Sequence, residues 1–238
     1  MNRYLPKQHG AWAMLFLPFL LGLYVSNVRL VHIPLLICWV IVYLCSYPVL
    51  QWVKTGKRQR YAGPVLVYSL AILPLAAILL WHEWRLIGYG ALLMLFFIPN
   101  IYFAKTKNER AILNDIIAIL MFCSFIYPVA YLGGIMEWHT ANQLFVLSAG
   151  YFVGTAVYVK TMIREKNNPN YYKVSLLYHA LFILGVAWIT PLLSIPALLL
   201  LIRAAVFPRR GLSVKMTGVT ELCFTLMMLA AVVLFYPV

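Results

Sequence analysis

MNRYLPKQHGAWAMLFLPFLLGLY (residues 1–24) places a lysine, a glutamine, a histidine and a glycine directly before an apolar run. From Gly10 the run continues to about Ser26, longer than the h-region of a secretion signal, and no small-x-small cleavage site follows before Arg29. The stretch therefore reads as a retained membrane span. The rest of the chain has the same character. Hydrophobic residues make up 64% of the 238, charged residues only 11%, and mean hydropathy is +0.87. So few charges cannot cover the exterior of a soluble domain, so the chain reads as an integral membrane protein. A helix crosses about 30 Å of hydrocarbon with roughly 20 apolar residues. Strict alternation, the mark of a membrane barrel, is absent. Bundled helices then remain as the way to satisfy every backbone group in lipid.

The expectation is an all-α, multi-pass protein forming one membrane domain over residues 1–238. Nine spans are placed near 10–27, 31–52, 62–82, 86–104, 111–132, 141–160, 173–189, 191–206 and 216–236. The seventh and eighth are separated only by Thr190 and Pro191 and read as two helices or one bent pair. Seventeen of the 19 lysines and arginines fall before span one or after spans two, four, six and eight, and only Arg29 and Arg85 fall on the other side. The positive-inside rule then puts the N-terminus in the cytoplasm and the C-terminus outside, and the expected location is a bacterial cytoplasmic membrane. The net charge of +13 is mostly this bias, so no nucleic-acid partner is implied. Cys38, Cys45, Cys123 and Cys223 lie inside apolar runs without a C-x-x-C pair, and they imply neither a disulfide framework nor a metal site.

Lys-Thr recurs at 54–55, 105–106 and 160–161, at the ends of spans two, four and six. Read as a helix-pair repeat, it sets Lys54, Lys105 and Lys160 in equivalent positions around one opening; read otherwise, it reflects only the basic residues expected at cytoplasmic ends.

Six acids exist, and four lie towards the basic ends: Glu109, Asp115, Glu165 and Glu221. Asp115 sits just inside span five beside Asn114. Thr217, Glu221 and Thr225 form a polar stripe at i, i+4 and i+8 on span nine. An ionisable group inside a membrane is costly, so Glu221 should face the bundle and find a partner. That partner is Arg203 or a nearby lysine, in a packing role, or else the stripe lines a cavity. Span seven adds Ser175, Tyr178 and His179, the last too deep to be a loop residue. Gly10 permits close helix approach, and the free N–H groups of the first turn suit an anion.

Together these residues predict a basic chamber open to the cytoplasm. Lys7, Lys54, Lys105, Arg110, Lys160 and Arg164 hold an anionic head group. Asp115 and Glu165 orient them or bind a cation. His9 and His179 are candidates for proton transfer. Asn114, Tyr178, Arg203 and Glu221 are the intramembrane polar set.

PKQHGAWAM (6–14), KTKNERAILND (105–115) and KTMIRE (160–165) resemble the YwiC-like family of bacterial membrane proteins over essentially the whole chain. More distantly, the topology is similar to the UbiA superfamily of prenyltransferases, which implies a nine-helix bundle with polar motifs at the cytoplasmic ends of spans two and six. In that superfamily two aspartate-rich motifs hold magnesium against the substrate diphosphate. Here span two ends in Gln51, Trp52, Lys54, Thr55 and Lys57 with no acid, and span six ends in Arg164-Glu165. Magnesium would have Asp115 and Glu165 to bind, while lysine and arginine could clamp a diphosphate directly, though as weaker Lewis acids. The readings are a divergent prenyltransferase or isoprenoid-diphosphate binder, a small-anion or metabolite transporter, or a non-catalytic quinone-binding or respiratory assembly factor. Membrane lipids are partners in all of them.

Overall fold

The protein is described here by a computed structural model. It covers residues 9–134 and 137–236, with the side chain of His9 outside the described set. Lys7 lies outside the described residues. The chain is helical throughout and forms no strand among the described residues. Its elements are α1 (His9–Tyr24), α2 (His32–Thr55), α3 (Arg58–His82), α4 (Leu86–Lys105), α5 (Ile112–Cys123) and α6 (Ile126–Leu132), followed by α7 (Trp138–Ile163), α8 (Pro169–Ile189), α9 (Ser194–Val206) and α10 (Val214–Phe235). Among the described residues eight helical segments are long and apolar enough to cross a membrane, with α5 and α6 forming one of them and Pro191–Arg210 another. The first expected span, α1, is apolar but shorter.

Span five is broken because Pro128 has no N–H to return to the Ser124 carbonyl. That carbonyl accepts instead from the Tyr127 N–H at 3.1 Å. Spans seven and eight are two helices. Thr190 between them is extended (φ −153°, ψ 114°), and Pro191 opens a short 3-10 turn before α9. Two N-caps fix later starts. Asn168 accepts from the Asn170 and Tyr171 N–H groups at 3.1 and 3.2 Å, ahead of α8, and Ser213 accepts from Met216 N–H at 3.3 Å, ahead of α10.

Contacts sort the described chain into two compact units. The first comprises Pro18–Ala141. Helices α2 and α3 pair closely, and α4 packs on α2, α3, α5 and α6. Its centre is aromatic. Trp39 stacks on Phe125 (centroids 4.0 Å apart, 9° between planes), and Phe122 meets Trp39 and Tyr43 edge-on. His32 ties the start of α2 to α6, since its Nε2 donates to the Val129 carbonyl at 3.0 Å and its Nδ1 accepts from Arg29 N–H at 3.0 Å. Leu66, Val67, Leu70 and Leu73 on α3 are exposed. In lipid this is no penalty, because the acyl chains are as apolar as leucine.

The second unit comprises residues 9–17 and 142–236, with α8 on α9 and α9 on α10. Helix α1 contributes to both units, divided at Pro18. The glycine of α1 that permits close approach is Gly22, not Gly10. A Cβ at Gly22 would lie 2.7 Å from Val129 Cβ and 3.0 Å from the Ile126 carbonyl oxygen, whereas one at Gly10 meets nothing within 4 Å among the described residues. Gly22→Val should therefore lower the melting temperature in detergent, with a cost of about 1–3 kcal/mol for overpacking. Gly10→Ala should leave it unchanged. Equal melting temperatures for both variants would contradict the packing described.

Candidate functional site

The site is built on α7, α8, α9 and α10 of the second unit. Gly150 and Gly154 are one turn apart on α7 and share a face. Tyr178 and Phe182 of α8 lie directly on that face. A Cβ at Gly150 would sit 2.8 Å from Phe182 Cε2, and one at Gly154 would sit 2.9 Å from Tyr178 Cε1 and 3.4 Å from His179 Nε2. The small residues let the backbones approach, and the Tyr178 hydroxyl donates to the Gly150 carbonyl at 2.9 Å. This contact sets the rotation of α8 and turns His179 inward, where it is 1% exposed.

His179 meets an ion pair there. Arg203, in the last turn of α9, is 1% exposed, and Glu221 on α10 is 4% exposed. Arg203 Nη1 donates to Glu221 Oε2 at 2.5 Å. The guanidinium lies between two rings, 4.4 Å from the centroid of Tyr158 and 4.9 Å from that of Phe224, a placement that suits its weakly hydrated planar charge. His179 Nδ1 is 2.8 Å from the Ser175 carbonyl. A carbonyl only accepts, so Nδ1 carries the hydrogen, and Nε2 turns its lone pair towards Arg203 Nη2 at 3.4 Å. The tautomer follows from that partner. The cluster thus holds one cation, one anion and a neutral imidazole.

Hydroxyls continue it along α10. Thr225 Oγ1 donates to the Glu221 carbonyl at 2.8 Å, so the Tyr151 hydroxyl, 2.9 Å from the same oxygen, must be the donor of that second bond. Thr217 Oγ1 donates to the Ser213 carbonyl at 3.0 Å. Four buried atoms around the cluster have no hydrogen-bond partner among the described residues: Arg203 Nε, Glu221 Oε1, the Tyr158 hydroxyl and Ser175 Oγ. Beyond Thr225 the buried face of α10 turns apolar at Met228, Ala231 and Val232. The polar stripe from Thr217 to Thr225 therefore runs about 12 Å along α10, at 1.5 Å per residue, less than half the roughly 30 Å depth of a bilayer core.

The remaining sequence-derived residues divide between the units. In the first, Lys54 Nζ donates to Glu109 Oε2 at 2.8 Å, with both side chains about a third exposed (34% and 30%). Asn114 Nδ2 donates to the Glu109 carbonyl at 2.9 Å. Lys105 and Arg110 are exposed, and Asp115 is half-buried on α5. In the second, Lys160 is 8% exposed in the last turn of α7, and Tyr178 is half-buried. Arg164 is exposed, and Glu165 accepts from Asn168 Nδ2 at 2.9 Å beside a shallow, open depression. The three Lys-Thr threonines make the same local bond, each hydroxyl donating to a carbonyl three or four residues back. Their lysines differ: Lys54 is ion-paired, Lys105 exposed and Lys160 buried. Among the described residues no three of His, Cys, Asp and Glu come together. This donor set does not fit a magnesium bridging a diphosphate, which needs several hard oxygen ligands.

Tyr151, Tyr158 and Phe224 complete the site and were not among the sequence candidates. The spacing of Gly150 and Gly154 was a usable signal for the α7–α8 contact. No local pattern marks an aromatic ring that stacks on an arginine 45 residues further along the chain.

The YwiC-like protein family matches residues 5–131. An uncharacterized protein YwiC of Bacillus subtilis is 37% identical over 242 aligned positions, covering 99% of each chain. An uncharacterized protein of Haemophilus influenzae is 30% identical over 237 positions, covering 94% of this chain and 95% of that one. No solved structure matches. The chain belongs to the YwiC-like family.

Removing one member of the buried pair leaves the other charge uncompensated. Arg203→Met or Glu221→Leu alone should cost about 3–5 kcal/mol. The double variant should recover most of that loss, because two apolar side chains need no compensation in a lipid-embedded bundle. Detergent-solubilised melting of the three variants checks this. Additive losses in the double variant would mean that the two side chains do not act as a pair.

Proposed function

We propose that this member of the YwiC-like family is a multi-pass membrane protein that binds an amphiphile with an anionic head, of the polyprenyl-diphosphate class. The head sits at the end of α7–α10 that carries Lys160, Arg203 and Arg209, on the cytoplasmic side of a bacterial cytoplasmic membrane. The tail runs along apolar helix faces. The observation that carries this reading is Arg203: a buried arginine held between two rings, with its Nε, Glu221 Oε1, Tyr158 hydroxyl and Ser175 Oγ unpartnered around it. Such a set of unused donors and acceptors matches an oxygen-rich group. Lys160 and Arg209 supply further cations at the same end. Tyr172 links the elements there, donating to the Ala205 carbonyl at 2.9 Å and lying under the Arg209 guanidinium.

The apolar second half of α10 supports binding over passage. A transported ion would meet Met228, Ala231 and Val232 before the far end, where Tyr236 donates to Gln143. A prenyl-transfer reaction on this scaffold would have to hold its leaving diphosphate with arginine and lysine in place of paired aspartate motifs.

Farnesyl diphosphate should raise the melting temperature of the purified protein with or without magnesium, and farnesol should not. Arg209→Met, at an exposed position, should weaken the shift without lowering the melting temperature of the free protein by a comparable amount. Lipid mass spectrometry of gently purified protein should find an isoprenoid or phospholipid phosphate retained. No shift with farnesyl diphosphate up to millimolar concentration would end this reading.

A further inference from the structure

We propose that Glu221 is a proton acceptor exchanged against the bound anion: when an anionic head takes Arg203, Glu221 loses its ion pair and takes up one proton from the aqueous side. The inference rests on the anion-binding reading above and adds the chemistry that makes it affordable.

Charge balance decides what a site this buried can accept. The cluster is neutral as it stands, with Arg203 against Glu221 and His179 uncharged. Among the described residues, three helices bring groups to Glu221. Arg203 comes from α9, His179 from α8, and Tyr151 and Tyr158 from α7. Helix α10 itself adds only Thr217 and Thr225 to that face. Arg203 is the cation paired with Glu221 among the described residues. An anion arriving at Arg203 would leave a 4%-exposed carboxylate beside a second negative charge, which burial strongly disfavours. Protonating the carboxylate removes that cost and restores neutrality.

The geometry provides for both states. Glu221 Oε1 has no partner in the ion-paired state, so it is open to a proton. The Tyr158 hydroxyl, also unpartnered, lies on the ring over which Arg203 stacks. His179 has Nδ1 fixed by the Ser175 carbonyl and Nε2 aimed at the guanidinium. Once Arg203 turns to an anion, that lone pair loses its guanidinium partner. His179 is therefore a positioning residue for Arg203, and Glu221 is the proton acceptor. The balance is simple. One proton leaves bulk water, one O–H bond forms on Glu221, the Arg203–Glu221 pair is replaced by an Arg203–anion pair, and no electrons move.

Calorimetry of the wild-type protein with farnesyl diphosphate, at pH 8 in HEPES and in Tris, decides the matter without any variant. Near pH 8 the ligand's own last ionisation, near pH 6, is complete. The difference in measured heat between the buffers should correspond to uptake of about one proton, and affinity should fall up to about tenfold per pH unit as pH rises. Methyl diphosphate, an alkyl diphosphate with the same last ionisation, run in parallel tells the source: uptake with both probes points to the diphosphate group alone, uptake with farnesyl diphosphate only points to a lipid. Glu221→Gln should bind with no proton uptake and with affinity independent of pH. His179→Gln should keep the stoichiometry of one proton. Tight wild-type binding with no uptake and no pH dependence would overturn the exchange and leave the anion-binding reading standing. Uptake that persists in Glu221→Gln would assign the proton elsewhere and overturn it as well. Absence of binding by the wild type would overturn both.

Discussion

An arginine and a glutamate buried together in hydrocarbon impose more on this molecule than any other contact. Each charge alone would cost several kcal/mol in a medium of low dielectric. Each therefore has to find the other, and the helices that carry them have to turn so that they can. That requirement fixes the faces that α9 and α10 turn to each other. It also explains the company around the pair. Tyr158 and Phe224 give the guanidinium two π faces, and His179 offers a neutral acceptor. The Gly150–Gly154 face of α7 then follows as the means of bringing α8 close enough for His179 to reach. One electrostatic demand thus propagates into the packing of four helices.

The first unit is organised on other terms. Its exposed apolar residues on α3 cost nothing in lipid, so hydrophobic burial gives those helices little reason to associate. Specific shape does so instead: the stack of Trp39 on Phe125, the edge contacts of Phe122 and the fit of Gly22 against Val129. Its ion pair, Lys54 with Glu109, is partly solvated and adds little to stability. The same kind of contact is marginal there and decisive around Arg203 because one pair is about a third exposed and the other is buried.

The sequence made the membrane class and the helical segments legible, because hydropathy over a 20-residue window depends only on neighbours along the chain. It also exposed the Thr217–Glu221–Thr225 stripe, since helical period converts spacing into a face. Pro128 gave a cue for the break between α5 and α6, but the break becomes definite only when the orphaned Ser124 carbonyl finds Tyr127. What could not be read was non-local. Gly10 and Gly22 look alike in sequence, and only the opposing helix tells which one is pressed. The Lys-Thr recurrence is similar in its local hydroxyl bond and dissimilar in every lysine, because the bond depends on the helix end and the lysine on what lies across from it. Lys7 and the His9 side chain fall outside the described residues.

The depth of the polar stripe bears on what such a site can do. A stripe that crossed the whole bundle would offer a path, and its two ends would have to be comparable. This one is polar from Thr217 to Thr225 and apolar from Met228 to Val232. On the proposed reading, a polar guest would enter from one end and stop. An amphiphile is the kind of guest for which stopping is favourable, since its head needs the cations and its tail needs the lipid that surrounds the helices. With Arg203 already neutralised by Glu221, the guest cannot be received as a simple counter-ion. Some charge in the site has to change for it to stay, and among the groups around Arg203 the carboxylate that loses its partner is the one placed to do so.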